Sequence, residues 1–305
     1  MSKVKSFAVG EGDMYYIKHD TDNFTTIDCC LNYDEESRAA KKHVLDEIQM
    51  ASHLKNVHRF ISTHPDEDHI SGLKDYVNKF GIYNFYCVKN NTAKNGVESE
   101  DFKTYKQLRD NPELLFELKK GCSRKWMNEA DEERGSSGLT CLWPITSNEK
   151  YKTALEKAKN GESPNNISPV IRYMHNGFSF LWLGDMETDM QEEFELNVNS
   201  SHVTIVFAPH HGRKSGHIPA SLLGKICPRI IVVGEADSGD LDYYNGQNTI
   251  TQNTAGDILF DVTETYLDIY VSNNSYDKMD GLTINRNYSS VNGMKYLGSI
   301  AKNNA

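Results

Sequence analysis

Residues 62–69 read Ser62-Thr63-His64-Pro65-Asp66-Glu67-Asp68-His69, so that four side chains able to hold a divalent cation, His64, Asp66, Asp68 and His69, fall within six residues. Upstream, Val57 to Ser62 is a short strand-forming run. Downstream, Leu73, Val77 and Phe80 recur at helical spacing in a helix that begins near Ser71. The unit is strand, loop, helix, and such a loop can fold several donors onto one centre. Neutral imidazole and ionised carboxylate suit a hard or borderline divalent cation, whereas a dense cluster of carboxylates without one repels itself. The alternative is a solvated acidic loop with two incidental histidines.

Two further stretches place donors directly after strand-like runs. In Leu181-Trp182-Leu183-Gly184-Asp185 a carboxylate follows an apolar run, and the glycine permits close backbone approach. Taken alone, Asp185 reads as a helix N-cap for Met186 onward. In Phe207-Ala208-Pro209-His210-His211-Gly212-Arg213-Lys214-Ser215-Gly216 paired histidines end another strand ahead of a cationic loop. By itself this is an ordinary surface loop. Ligands gather at strand ends in open α/β sheets, and three independent strand ends carrying His and Asp point to a metal site more strongly than any one of them.

Outward from these stretches the chain alternates strands and helices, an α/β pattern. Phe7 to Val9, Met14 to Ile17 and Phe24 to Ile27 read as an opening meander joined by Gly10-Glu11-Gly12-Asp13. Asp34 to Lys55 reads as a helix, with Val44, Ile48 and Ala51 on one face and Asp34 as N-cap. Ser168 to Tyr173, a His175-Asn176-Gly177 turn and Phe178 to Leu183 form a hairpin. A helix (Met186 to Leu196), a strand (Val203 to Ala208), a helix (Pro219 to Ile226) and strands at Ile230 to Val233, Tyr266 to Val271 and Leu282 to Asn285 follow. Residues from about 87 to 165 are mostly polar, with helical patches at Phe102 to Leu115 and Tyr151 to Lys159, and read as an insertion or cap within a single domain spanning 1–305.

The 305 residues are 38% apolar and 25% charged, ordinary globular values, and no stretch is apolar enough for a membrane helix. The start, MSKVKSFAVGEGDMYYI, lacks the succession of a secretory signal, so the chain is expected in the cytoplasm. Six cysteines without a Cys-x-x-Cys pair are expected as free thiols. A net charge of −10 disfavours a broad surface for duplex nucleic acid.

With these residues in view, the sequence resembles the metallo-β-lactamase superfamily, and within it the branch like the hydrolase domain of the competence protein ComEC. Val9-Gly10-Glu11-Gly12-Asp13 is similar to that branch's opening, Ile27-Asp28 to the superfamily's first aspartate and His64 to His69 to its H-x-D-x-D-H loop. Asn165-Asn166-Ile167-Ser168 through Gly184-Asp185 and Pro209-His210-His211-Gly212 are similar to its later segments. The resemblance implies an αββα four-layer sandwich, two mixed sheets flanked by helices. It further implies two divalent ions, zinc or manganese, with magnesium as a third candidate. His64, Asp66, Asp68, His69 and Asp185 would be ligands, Asp185 bridging, and His210 is expected to complete the second site. His211 is expected beside the substrate or behind a ligand. Two departures stand out. Asp66 occupies the usual second histidine of the loop, and between His69 and Asp185 only His175 occurs, in a turn. One site is thus oxygen-rich, which favours manganese or magnesium over zinc there.

The implied chemistry is hydrolysis by a metal-activated water, with Asp68 or Asp185 orienting it and Asp28 buttressing a ligand histidine. Arg213 and Lys214 are placed to meet phosphate oxygens. The expected substrate is nucleic acid, a nucleotide or a small phosphodiester, cut by a phosphodiesterase or nuclease. A lactone, thioester or β-lactam hydrolase is the second reading, and a catalytically silent binding or regulatory module is the third.

Overall fold

The computed structural model describes residues 1–31, 42–53, 59–199, 202–235, 239–278, 281–282, 284–286, 288 and 290–302. The chain opens with an antiparallel meander, β1 (Ser2–Ser6), β2 (Tyr15–Lys18) and β3 (Phe24–Ile27). It then turns to parallel pairing through β4 (Arg59–Ile61), β5 (Phe85–Cys87) and β6 (Leu115–Glu117). The path next crosses to a second sheet, β7 (Leu139–Trp143), β8 (Val170–His175), β9 (Phe178–Trp182), β10 (Ile205–Phe207), β11 (Ile230–Val233) and β12 (Thr249–Thr251). It returns to extend the first sheet with β13 (Ile258–Val262), β14 (Tyr266–Val271) and β15 (Lys295–Ala301). The first sheet is ordered β15-β14-β13-β1-β2-β3-β4-β5-β6 and the second β12-β11-β10-β9-β8-β7. Both are mixed, because β9 to β12 run parallel while β7 and β8 pair antiparallel.

The two sheets face each other across an aromatic seam. The Tyr15 ring lies 4.8 Å from Phe207 and 6.0 Å from Trp182, and Phe180 lies 5.5 Å from Phe260. Truncating a ring such as Phe180 to alanine costs about 3–5 kcal/mol in such a core. Strands β3, β9 and β11 are buried along their whole length, which requires cover on both faces. Helices α1 (Lys42–Ala51), α3 (Leu73–Phe80) and α4 (Glu100–Arg109) supply it over the first sheet, where Ile48, Tyr76 and Phe102 join Phe60 and Phe85 in one cluster; the short α2 (Glu67–Ile70) sits in the metal loop. Helices α5 (Glu149–Lys159), α6 (Thr188–Asn197) and α7 (Ala220–Ile226) cover the second, through Tyr151, Phe194 and Ile226. The architecture is therefore helix, sheet, sheet, helix, as expected.

Local signals explain several boundaries. Asn176 (φ 50°) and Gly177 (φ 84°) make the two-residue β8–β9 turn, the left-handed pair a tight hairpin requires. Ser99 and Asn148 cap α4 and α5 by accepting the amides of Phe102 and Tyr151.

Other boundaries differ from the sequence reading. The opening strand is Ser2–Ser6 and not Phe7 to Val9, because the ladder to β13 ends at Ser6 and the Ala8 amide donates to Asp257 instead. The helix expected over Phe102 to Leu115 stops at Arg109, since Leu115 to Glu117 pair with β5. In place of a strand at Leu282 to Asn285 the last strand is β15, to which only Ile284 of the described residues in that range bridges. Interval 87–165 supplies β6 and β7, an edge strand to each sheet. The expected N-cap Asp34 and the end of its helix at Lys55 lie outside the described residues. No disulfide forms: five cysteines are buried free thiols and Cys227 is exposed. Among the described residues no helix is long and apolar enough to cross a membrane.

Candidate metal centre

Four strands end at one place. Asp28 follows β3, residues 62–69 follow β4, Asp185 follows β9 and His210-His211 follow β10. The ends of the central strands of both sheets thus meet where the sandwich opens, which is where open α/β sheets gather ligands. Backbone geometry is under tension here: Asp28, His210 and His211 all hold positive φ (55°, 52° and 57°). Each such non-glycine residue costs of order 1–3 kcal/mol and persists only when its surroundings impose it. Gly184 (φ 55°) is needed for approach, since a Cβ there would lie 2.7 Å from Ser168 Oγ and 3.0 Å from Thr63 Cβ.

Asp185 is the hub. Its Oδ1 lies 3.1 Å from His69 Nε2, and its Oδ2 lies 3.8, 3.7 and 3.6 Å from the Nε2 atoms of His64, His210 and His211. His64 Nε2 also faces Asp66 Oδ2 at 4.0 Å, and His211 Nε2 faces Asp68 Oδ2 at 3.4 Å. Asp185 is therefore shared: His64 faces it together with Asp66, His211 faces it together with Asp68, and His69 and His210 face it as well.

Behind the rings stands a second layer. Asp28, fully buried, accepts from the Thr63 amide (2.8 Å) and hydroxyl (2.6 Å) and meets His69 Nδ1 at 2.9 Å, which points that ring's Nε2 at Asp185. Ser215 Oγ lies 2.8 Å from His210 Nδ1. Asp13 plays the corresponding part for His211. Its Oδ1 stands 3.4 Å from His211 Nδ1, long for a hydrogen bond, and accepts the Tyr15 hydroxyl at 2.6 Å. The sequence reading assigned Asp13 no chemistry. Its signal was Gly12: a Cβ there would lie 2.5 Å from both Asp68 O and Cys30 Sγ, so only glycine lets the Gly10–Asp13 turn dock on the metal loop.

Electrostatics fit a cation. Burial opposes charge on the His211 ring, yet Asp185 and Asp13 raise its pKa to about 10. His69 is likewise raised well above its usual value, with Asp185 and Asp28 outweighing burial. His64 is lowered by burial and by the neighbouring His69. Burial would raise Asp185, but His69 and His211 pull it well below the usual carboxylate range, and His211 lowers Asp13 in the same way. At Asp28 burial prevails and the pKa rises. Five acids, Asp13, Asp28, Asp66, Asp68 and Asp185, thus gather around the rings, with one ammonium, Lys94, 2.5 Å from Asp66 Oδ1. Buried charge of one sign is costly unless paired, and a divalent cation supplies the pairing.

The orphaned atoms point the same way. His64 Nε2, His69 Nε2, both ring nitrogens of His211 and Asp185 Oδ1 are buried without a hydrogen-bond partner of good geometry. Asp13, His69, Asp185 and His211 each bring one ligand atom within 4.8 Å of all the others. Buried polar atoms are normally satisfied, and these converge on one space. The residues present therefore fit a metal ion. Of the residues singled out in sequence, His64, Asp66, Asp68, His69, Asp185, His210, His211 and Asp28 come together. His175 lies elsewhere, near Asp20. Arg213 and Lys214 stand outside the ligand cluster, lining a groove of about 700 Å³ with Glu187, Thr188, Asp189, Ser215 and Asp240, and Arg213 pairs with Glu11 at 2.7 Å.

No family model and no curated protein matches the chain. Among solved structures it is similar to the metallo-beta-lactamase fold protein YhfI from Bacillus subtilis (10% identity, 82% of this chain and 96% of that one, TM-score 0.45). It is also similar to Igni18, a metallo hydrolase from Ignicoccus hospitalis (14%, 86% and 100%, TM-score 0.45). A third likeness is to a diphosphatase from the PhnP family (12%, 82% and 94%, TM-score 0.40). At this distance the likenesses say nothing about the reaction.

Proposed function

We propose that this chain is a metal-dependent hydrolase of the metallo-β-lactamase kind, acting on phosphodiesters of single-stranded nucleic acid, nucleotides or smaller molecules. The observation that carries the reading is the convergence of orphaned buried nitrogens and a carboxylate oxygen from three strand ends upon Asp185.

In this reading His64, Asp66, Asp185 and His210 would hold one divalent ion, and Asp68, His69, Asp185 and His211 would hold the other. His211, buried and facing both Asp68 and Asp185, replaces His210 as the principal histidine of the second group, while His210 sits at the half-buried rim. When bound, two such ions lower the pKa of a shared water and offset charge developing on the attacked phosphorus. Each group would offer two imidazoles and two carboxylates, a mixed nitrogen and oxygen set that suits zinc or manganese.

The protein's own contribution is positional. Asp28 takes His69 Nδ1 in a hydrogen bond and Asp13 stands opposite His211 Nδ1, so that each ring would turn its Nε2 toward the centre and bind metal through it on losing that proton. Asp68, half-buried at the mouth, has its pKa depressed by His211 and His69 despite burial, so it stays ionised to accept a hydrogen bond from the attacking water. Lys214, exposed on the groove near His210, would meet a phosphate oxygen of a bound substrate, while Arg213 on the same groove is paired with Glu11.

The test is hydrolysis of bis(p-nitrophenyl) phosphate with added manganese. Cleavage by the wild type that is lost in Asp68→Ala supports the reading. Cleavage that survives this substitution contradicts the assignment of the site.

A further inference from the structure

A second cavity, of about 380 Å³, opens where the edge strands of the two sheets meet. Leu118, Pro144, Leu155 and Tyr151 contribute its apolar lining and Lys119 stands at its wall. Its size is in the range of small-molecule sites. It is also pre-built. The Lys120 amide donates to Pro144 O at 2.8 Å and the Gly121 amide to Cys141 O at 3.2 Å, stitching the end of β6 to the end of β7. On its other side the Ala93 amide donates to Ala158 O at 3.1 Å, pinning the segment after β5 to α5.

The cavity shares an end of the sandwich with the metal centre. Strands β4, β5 and β6 are parallel neighbours, so the end of β6 lies about 10 Å from the end of β4 at about 4.8 Å per strand. In the second sheet β7 runs the same way as β9, two strands over, and ends beside the cavity at Pro144. Both walls lead to the metal loop. The wall that includes Asn91 continues to Lys94, whose ammonium meets Asp66, and the chain that follows α5 leads to Ser168, whose hydroxyl lies 3.4 Å from His64 Nδ1.

Its charge is directional. Lys89 is paired with Glu117 at 3.5 Å and Lys159 with Glu156 at 3.1 Å, whereas among the described residues Lys119 meets no carboxylate. A ligand therefore finds an apolar bed with one unmatched cation at its edge.

We propose that this cavity receives the non-reacting arm of the substrate, an apolar arm that ends in an anion and reaches about 10 Å beyond the scissile bond. The assignment rests on the hydrolase reading for the reacting end, but the pocket itself is tested without turnover. Naphthalene-2-sulfonate, an apolar two-ring body with one anion, is titrated calorimetrically into wild type, Lys119→Glu and Leu155→Trp. The expected result is one saturable site in the wild type, weakened about tenfold by reversing the charge at Lys119 and by filling the bed at Leu155, with metal content unchanged in both variants. No binding to the wild type, or equal binding to all three, overturns the proposal. The same preparations are then given two p-nitrophenyl phosphodiesters, one with a methyl group and one with a naphthylsulfonate arm on the second ester oxygen. Lys119→Glu should raise KM for the arm-bearing diester alone. Equal effects on both diesters contradict a substrate arm. Cleavage of neither by wild type would instead overturn the hydrolase reading, which the calorimetry does not touch.

Discussion

Replacing Asp28 with asparagine isolates how the protein aims a ligand ring. Asp28 Oδ1 accepts the Thr63 amide, and Oδ2 takes both the Thr63 hydroxyl and His69 Nδ1 at 2.9 Å. Asparagine keeps the first contact and turns the second atom into a donor. The Thr63 hydroxyl can rotate to accept from it, but a His69 Nδ1 proton then faces another donor. The ring is driven to carry its proton on Nε2, the atom 3.1 Å from Asp185 that must be bare to bind metal. One hydrogen bond to a charged partner is lost, about 1.5–3 kcal/mol. Orienting groups of this kind change metal affinity about 10–100-fold, equivalent to about 1.4–2.7 kcal/mol at 1.36 kcal/mol per tenfold. The two figures agree in scale. The assay is competition for manganese or zinc against a chromophoric chelator, alongside urea unfolding of the metal-free protein. Asp28→Ala should be less stable than Asp28→Asn by a further ~1–3 kcal/mol, because it strands the buried Thr63 amide. A folded Asp28→Asn that binds metal as tightly as wild type would refute the reasoning.

Asp13→Asn removes the corresponding support from His211 and should weaken one of two metal equivalents about tenfold while leaving the other; isothermal titration separates them, and no change in either contradicts a positioning role. His211→Ala should cost more metal affinity than His210→Ala, since His211 faces both Asp68 and Asp185 from a buried position, whereas His210 faces Asp185 from the rim; the reverse order in chelator competition would restore His210 as principal ligand. Gly184→Ala adds a Cβ at φ 55° within 2.7 Å of Ser168 Oγ. It should lower stability by about 1–3 kcal/mol, read as a fall in Tm, and an unchanged Tm means the backbone there relaxes freely.

Much of this centre was legible because its donors are clustered in sequence. His64 to His69 lie in one loop, and Asp185 and His210-His211 each follow an apolar run that could only be a strand. How far the His210 and His211 rings differ in burial was not legible. Both have left-handed backbones, and which ring turns inward depends on the kink after Pro209 and on Asp13, a residue nearly two hundred positions away. Asp13 itself was hidden because its role arises from tertiary contact, the docking of a glycine turn on the metal loop. In the fold, strands with both faces buried or with clear alternation were found near their true bounds, as at Ile230–Val233 and Tyr266–Val271. Short edge strands such as Leu115–Glu117 were missed, since three half-buried residues carry no period and are strands only because β5 offers them a partner.

The most direct measurement is the metal content of protein purified without chelator, wild type against Asp185→Ala. Asp185 faces all four histidines, so the account predicts close to two equivalents of divalent metal in the wild type and the loss of both together in the variant. Wild-type protein without metal, or metal content untouched by removing Asp185, would contradict the shared centre on which the proposed hydrolase depends.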